Sequence, residues 1–142
     1  MSSQNYQNHS RYVFNWHIVT SLLILALLVG SIVNLTHAAP DNLYSASLLC
    51  LVAVILLFIF WYARAFALKA QDRAIRAEEN FRHFVLTGKP LPGELRMGQI
   101  VALRFAGDAE MPALAQRAVR EKLPAKAIKQ AITAWKADYN RV

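Results

Sequence analysis

The chain has 142 residues, 56% of them hydrophobic and 18% charged, and a net charge of +7. That apolar content is too unevenly spread for an ordinary soluble domain, and the positive balance points to acidic partners or anionic surfaces. The single cysteine, Cys50, excludes an intramolecular disulfide framework.

Residues 12–40 contain no Lys, Arg, Asp or Glu, and neither do residues 42–63. Each stretch exceeds the roughly 20 residues with which a helix crosses a hydrocarbon core. Their densest parts, "IVTSLLILALLVGSIVNL" and "SLLCLVAVILLFIFWYA", lack the polar face that a soluble core helix shows at helical spacing. Two transmembrane helices are therefore predicted, over about 13–35 and 46–67, with an outer loop at 36–45. The first run outlasts the ~7–15 apolar residues of a secretory leader, and only Arg11 precedes it as a cation. A cleaved leader is not expected. Ala26, Gly30 and Asn34 recur every four residues in the first span, with Ser31 beside them, as a stripe for close helix contact in lipid. His17 lies near the inner end of this span and the second span contains no histidine, so no haem, metal or other cofactor is expected. No charge at hydrocarbon depth marks an ion path.

Fifteen of the sixteen Lys and Arg follow Ala63, against eight of the nine Asp and Glu, so the whole net charge of +7 resides there. Positive residues near span ends stay cytoplasmic, which places both termini inside and the 36–45 loop outside. Trp16 at one end and Trp61 with Tyr62 at the other form an inner aromatic belt. Arg64, Lys69 and Arg73 follow as expected contacts to lipid headgroups.

No Pro or Gly interrupts residues 46–86, and Thr87-Gly88-Lys89-Pro90 supplies a helix stop. The second span is thus expected to continue into the cytoplasm, as a rod of roughly 60 Å at about 1.5 Å per residue. Asp72 with Arg76 and Glu78 with Arg82 have the i,i+4 spacing of supporting ion pairs. Alanine recurs in steps of four and three at Ala63, Ala67, Ala70, Ala74 and Ala77, and Phe81 and Phe84 continue the beat. This period places a seam of small residues along one side of the helix, suited to a nearly parallel or antiparallel helix. The C-terminal helices folding back are its expected occupant, ahead of a second copy or another membrane protein, because those helices need a surface to bury.

Three short helices are expected beyond the stop, over about 94–106, 109–123 and 124–140. Met111, Leu114, Ala115, Ala118 and Val119 give the second an apolar face. Ile128, Ala131, Ile132, Trp135, Tyr139 and Val142 give one to the third. No period-2 alternation predicts a strand. Residues 118–132 loosely resemble a helix-turn-helix, but Lys122 stands where such turns use glycine, and Arg117 and Glu121 stand at apolar positions. Nucleic acid is not the expected partner.

The segments "QNYQNHSRYV", "GSIVNL", "FALKAQDRAIRAEENFRHFVLTGKPL", "QIVALRFAGDAEMPALAQRA" and "IKQAITAWKADYNRV" carry a resemblance over nearly the whole chain. It resembles an uncharacterised family of small two-span bacterial membrane proteins of Bacteroidota type, a domain of unknown function. The resemblance implies a bacterial inner-membrane location and no activity. The expected fold is an all-α membrane protein: a transmembrane hairpin over 1–67, and a cytoplasmic helical module over 68–142 that begins with a helix at about 68–87. No catalytic constellation is found, so an enzyme is not expected. A structural or partner-binding subunit in contact with membrane lipid is the leading expectation. A small transporter or channel-forming oligomer is the alternative, and a membrane-tethered nucleic-acid binder ranks below both.

Overall fold

A computed structural model describes residues 4–9 and 11–139. These form five α-helices: α1 (Ser21–Thr36), α2 (Leu43–Thr87), α3 (Met97–Leu103), α4 (Met111–Arg120) and α5 (Ala125–Ala131). A π-helical turn, Asn15–Thr20, leads into α1, and a 3-10 turn, Pro40–Asn42, leads into α2. The chain divides into two compact units. Residues 12–67 form a hairpin unit, and the described residues from 68 onward form a helical module with the N-terminal segment. The expectation from sequence places that segment with the hairpin instead.

The hairpin unit is built from α1 and the first half of α2. Trp16 stacks on Phe60 with ring centroids 4.5 Å apart, and Ser31, Ala46 and Ala53 are buried. Ser31 donates its hydroxyl to the Leu28 carbonyl at 2.9 Å, which satisfies its polar atom within the helix turn. Most of the large apolar side chains stay outside, Leu22, Leu23, Val29, Leu51 and Phe58 among them. The π-helical turn with α1 (Asn15–Thr36) and the 3-10 turn with α2 (Pro40–Thr87) are each long and apolar enough to cross a membrane, and only 11% of the apolar stretch of each is buried. A soluble core helix would have most of that surface covered.

The helical module has one hydrophobic cluster. Ile75 from α2 and Leu91 and Leu95 from the following loop meet Ile100 and Leu103 of α3, Met111, Leu114 and Ala118 of α4, and Ile128 of α5. Gly88 ends α2 with φ of 72°, the left-handed conformation that costs glycine least. Three contacts fold the next residues back. The Leu91 N–H donates to Asn80 Oδ1 at 2.9 Å. His83 Nδ1 lies 2.7 Å from the Lys89 carbonyl. The Gly88 N–H donates to the Phe84 carbonyl at 2.7 Å. Gln99 on α3 donates through Nε2 to the Leu123 carbonyl at 2.9 Å, which ties α3 to the end of α4. There Lys122 takes φ of 50°, so the turn uses the left-handed conformation even though lysine occupies it.

The C-terminal helix is shorter than its periodicity implied. It ends at Ala131, and Ile132 is already extended with ψ of 124°. Ala106 and Trp135 then form an isolated antiparallel bridge, with the Gly107 N–H donating to the Ala134 carbonyl at 2.8 Å and the Lys136 N–H to the Phe105 carbonyl at 2.7 Å. Glu110 meets the chain where it leaves the helix. Its carboxylate accepts from the Thr133 N–H at 3.1 Å, the Thr133 hydroxyl at 2.7 Å and the Ala134 N–H at 3.1 Å. A carboxylate offering these acceptors outcompetes one further turn of helix. Tyr139 is consequently exposed instead of continuing the Ile128 face, and Val142 lies outside the described residues. The N-terminal segment closes over the extended tail. Gln4 exchanges two hydrogen bonds with the Asp138 backbone, at 2.7 and 3.1 Å, and Arg11 donates to the Tyr139 carbonyl at 3.0 Å.

Burial pushes the Glu110 carboxyl upward, but hydrogen bonds from Thr133, Ala134 and Gly107 outweigh it and hold the group below its ordinary value of 4.5. A carboxylate with a depressed folded value adds stability above its unfolded value and loses it as pH falls through the folded one. Trp135 fluorescence should therefore report loosening of the tail below about pH 4.5. Glu110→Gln should loosen the tail already at neutral pH and flatten this acid limb. An unchanged acid limb in that variant would show that Glu110 does not hold the tail.

Candidate functional site

The module uses α2 on one side only. Ile75, Glu79 and His83, four residues apart, are buried against the helices that follow. Ala70, Ala74, Ala77, Phe81 and Phe84 are all exposed. At about 100° per residue, this alanine line centres on nearly the opposite side of the helix from Ile75, Glu79 and His83. The C-terminal helices therefore do not occupy the seam, contrary to the expectation from sequence. They bury the side that offers a large branched side chain, Ile75, where alanine would give them little apolar area. Of the remaining seam positions, Ala63 is exposed and Ala67 half-buried within the hairpin unit.

Arg82 ties that face to the residues that follow α3. It donates to Glu79 at 3.0 Å, to Asp108 at 2.7 Å through Nε and to the Ala106 carbonyl at 2.6 Å. Its expected i,i+4 partner, Glu78, is left at the surface. The hydrogen bond and the charge of Arg82 hold the Asp108 carboxyl below its ordinary range, against a smaller upward push from burial. Nothing in the helical spacing alone distinguished Glu79 from Glu78 as the partner. The buried stripe of Ile75, Glu79 and His83 was present in the sequence at i, i+4 and i+8, but two polar residues disguised it.

The stripe expected to pack the spans is also open. Ala26, Gly30 and Asn34 are exposed, and a Cβ added at Gly30 would meet nothing within 4 Å. Ser31, one residue along, is the buried position. Ile24, Leu28, Leu57, Phe60 and Trp61 line an apolar groove of about 360 Å³ in the same unit. Of the cations expected at headgroups, Arg64 is half-buried, and Lys69 and Arg73 are exposed.

Two polar features occur in the module. Glu78, Glu79, Arg104, Lys136 and Asp138 contribute to a groove of about 400 Å³. Its buried charges are engaged, Glu79 with Arg82 at 3.0 Å and Arg104 with Asp138 at 3.1 Å. Beside it, Phe105 is stacked on Trp135 at 4.8 Å, with the Arg104 guanidinium 4.7 Å above the Phe105 ring and the His9 ring edge-on at 5.6 Å. Lys129 Nζ lies 2.9 Å from His9 Nε2. These contacts clamp the N-terminal segment to the extended tail, whose helical period in sequence pointed to a different packing. Among the described residues no group of three His, Cys, Asp or Glu could hold a metal ion. The chemistry on offer is that of contact surfaces: small residues and aromatics on one side of α2, with cations and carboxylates flanking them.

One family model matches, over residues 1–142, that of a family of unknown function (DUF6526). No curated protein and no solved structure matches the chain.

Proposed function

We propose that this chain, which belongs to the DUF6526 family of unknown function, is a two-span inner-membrane protein of bacteria that serves as a structural, partner-binding subunit. The observation that carries the reading is the hairpin unit, whose two long apolar helices bury only 11% of their apolar stretches. Lipid is the solvent in which such a surface costs nothing. The concentration of Lys and Arg beyond Ala63 orients it, with both termini and the helical module in the cytoplasm. Arg64, Lys69 and Arg73 then stand where headgroups can meet them. Membrane lipid is thus one partner, and the open face of α2 is the surface offered to a protein.

Single cysteines at Gln7, Asn42 and Gln130, each in a Cys50→Ala background, test the arrangement. In intact cells whose inner membrane is reachable from outside, an impermeant thiol reagent should label Asn42→Cys alone. Labelling of Gln130→Cys before lysis would overturn the orientation, and release of the chain by alkaline carbonate would overturn membrane insertion.

A further inference from the structure

We infer that the open face of α2 from Ala70 to Phe84 is the contact for a second copy of this chain, lying parallel to the first. The inference rests on the membrane anchoring proposed above, because two copies in one bilayer present their α2 helices with the same polarity. The face is more than a run of small residues. Phe81 is 69% exposed, Phe84 52% and Val85 66%, so the folded module leaves aromatic and branched surface uncovered beside the alanines. The module's own helices cannot cover it, since they occupy the Ile75 side.

Charge selects the occupant and its direction. Steps of four and three assign Ala74 and Phe81 to heptad position a, and Ala70, Ala77 and Phe84 to position d. Arg73 then falls at g, and Glu78 at the e position five residues later. Parallel chains pair g of one helix with that e of the other, so two copies form two opposite-charge pairs, related by symmetry. An antiparallel arrangement matches g with g and e with e. The g positions are Arg73 and Asn80, and the e positions are Gln71, Glu78 and Val85, so no attractive pair of charges results. Arg73 and Glu78 are both exposed, and neither takes part in the ion pairs found among the described residues. A seam this short is weak between free chains, and confinement to one membrane raises the effective concentration that it needs.

The test uses the full chain in native membranes, with single cysteines in a Cys50→Ala background and mild copper-catalysed oxidation. Cysteines at Ala70, Ala74 and Ala77 should form disulfide-linked dimers about tenfold more readily than cysteines at Asp72 or Arg76, because only a and d side chains of a parallel pair meet across the axis. Adding Arg73→Glu to Ala74→Cys should lower the dimer yield by about fivefold, and adding Glu78→Arg as well should restore it. Equal yields at all five positions, or no dimer at any, would overturn the proposal. So would a charge reversal that Glu78→Arg fails to restore, or a product at Ala74→Cys with the mass of a different protein. Carbonate extraction of the same membranes separates the two readings. A chain that stays in the membrane without dimer retains the anchoring and loses the parallel pair. For a chain that washes off, the anchoring fails, and oxidation of the purified chain still shows whether the seam self-associates.

Discussion

Replacing Phe105 with alanine should lower the stability of the helical module by about 3–5 kcal/mol, the usual cost of removing a fully buried aromatic ring. Phe105 is entirely buried. Its ring faces Trp135 at 4.8 Å, lies under Arg104 at 4.7 Å and meets His9 at 5.6 Å. Truncation would therefore strip contacts from three chain segments together: the end of α3, the extended tail and the N-terminal segment. The uncovered guanidinium and indole add to the cost, because both would face a void that aromatic surface had filled. Urea titration of the full chain in detergent, with Trp16→Phe and Trp61→Phe so that Trp135 alone reports, should show the midpoint falling sharply. Phe105→Leu keeps most of the volume and should lose less than half as much. Equal losses in the two variants would mean that the ring's stacking carries the whole effect and that apolar bulk alone replaces none of it.

The all-helical class and the two long apolar helices were legible because their signal is composition over twenty or more residues. The stop at Gly88 was legible too, since a glycine followed by Pro90 leaves the chain few alternatives. What could not be read depends on choices between competing partners. The C-terminal sequence keeps a helical period as far as Val142, yet the chain leaves the helix after Ala131, where Glu110, more than twenty residues earlier, accepts from Thr133 and Ala134. The face of α2 was misjudged for a related reason. Alanine periodicity marks where a helix can approach closely, whereas the module packed where Ile75 and a bridged carboxylate gave it something to bury. The open stripe at Ala26, Gly30 and Asn34 makes the same point in the other unit. A small-residue stripe specifies closeness without naming its occupant.

Arg82 carries the second large effect. Its guanidinium and the Glu79 carboxylate are both mostly buried, with side-chain exposures of 12% and 9%. Asp108, at 66% exposure, is largely in water, so screening makes that arm of the contact minor. Arg82→Met would leave the Glu79 charge enclosed without a cation and the Ala106 carbonyl without its donor. Breaking a buried pair from one side typically costs 3–5 kcal/mol, and the residual solvent access of this pair brings the expectation to about 2–4 kcal/mol. Lysine at the same position should recover only part of the loss, because one ammonium cannot reach Glu79, Asp108 and the Ala106 carbonyl in the planar fork that Arg82 provides. Removing both charges, as Glu79→Leu with Arg82→Met, should restore most of the stability by abolishing the unpaired buried ion. The Asp108 carboxyl gives an independent readout by NMR titration. Its value should return toward the ordinary carboxylate range in Arg82→Met, since Arg82 is what depresses it. A double variant as unstable as Arg82→Met alone would assign the loss to packing and the Ala106 carbonyl. In that event the choice of face on α2 would rest on Ile75 and its apolar neighbours, with the ion pair a consequence of that docking.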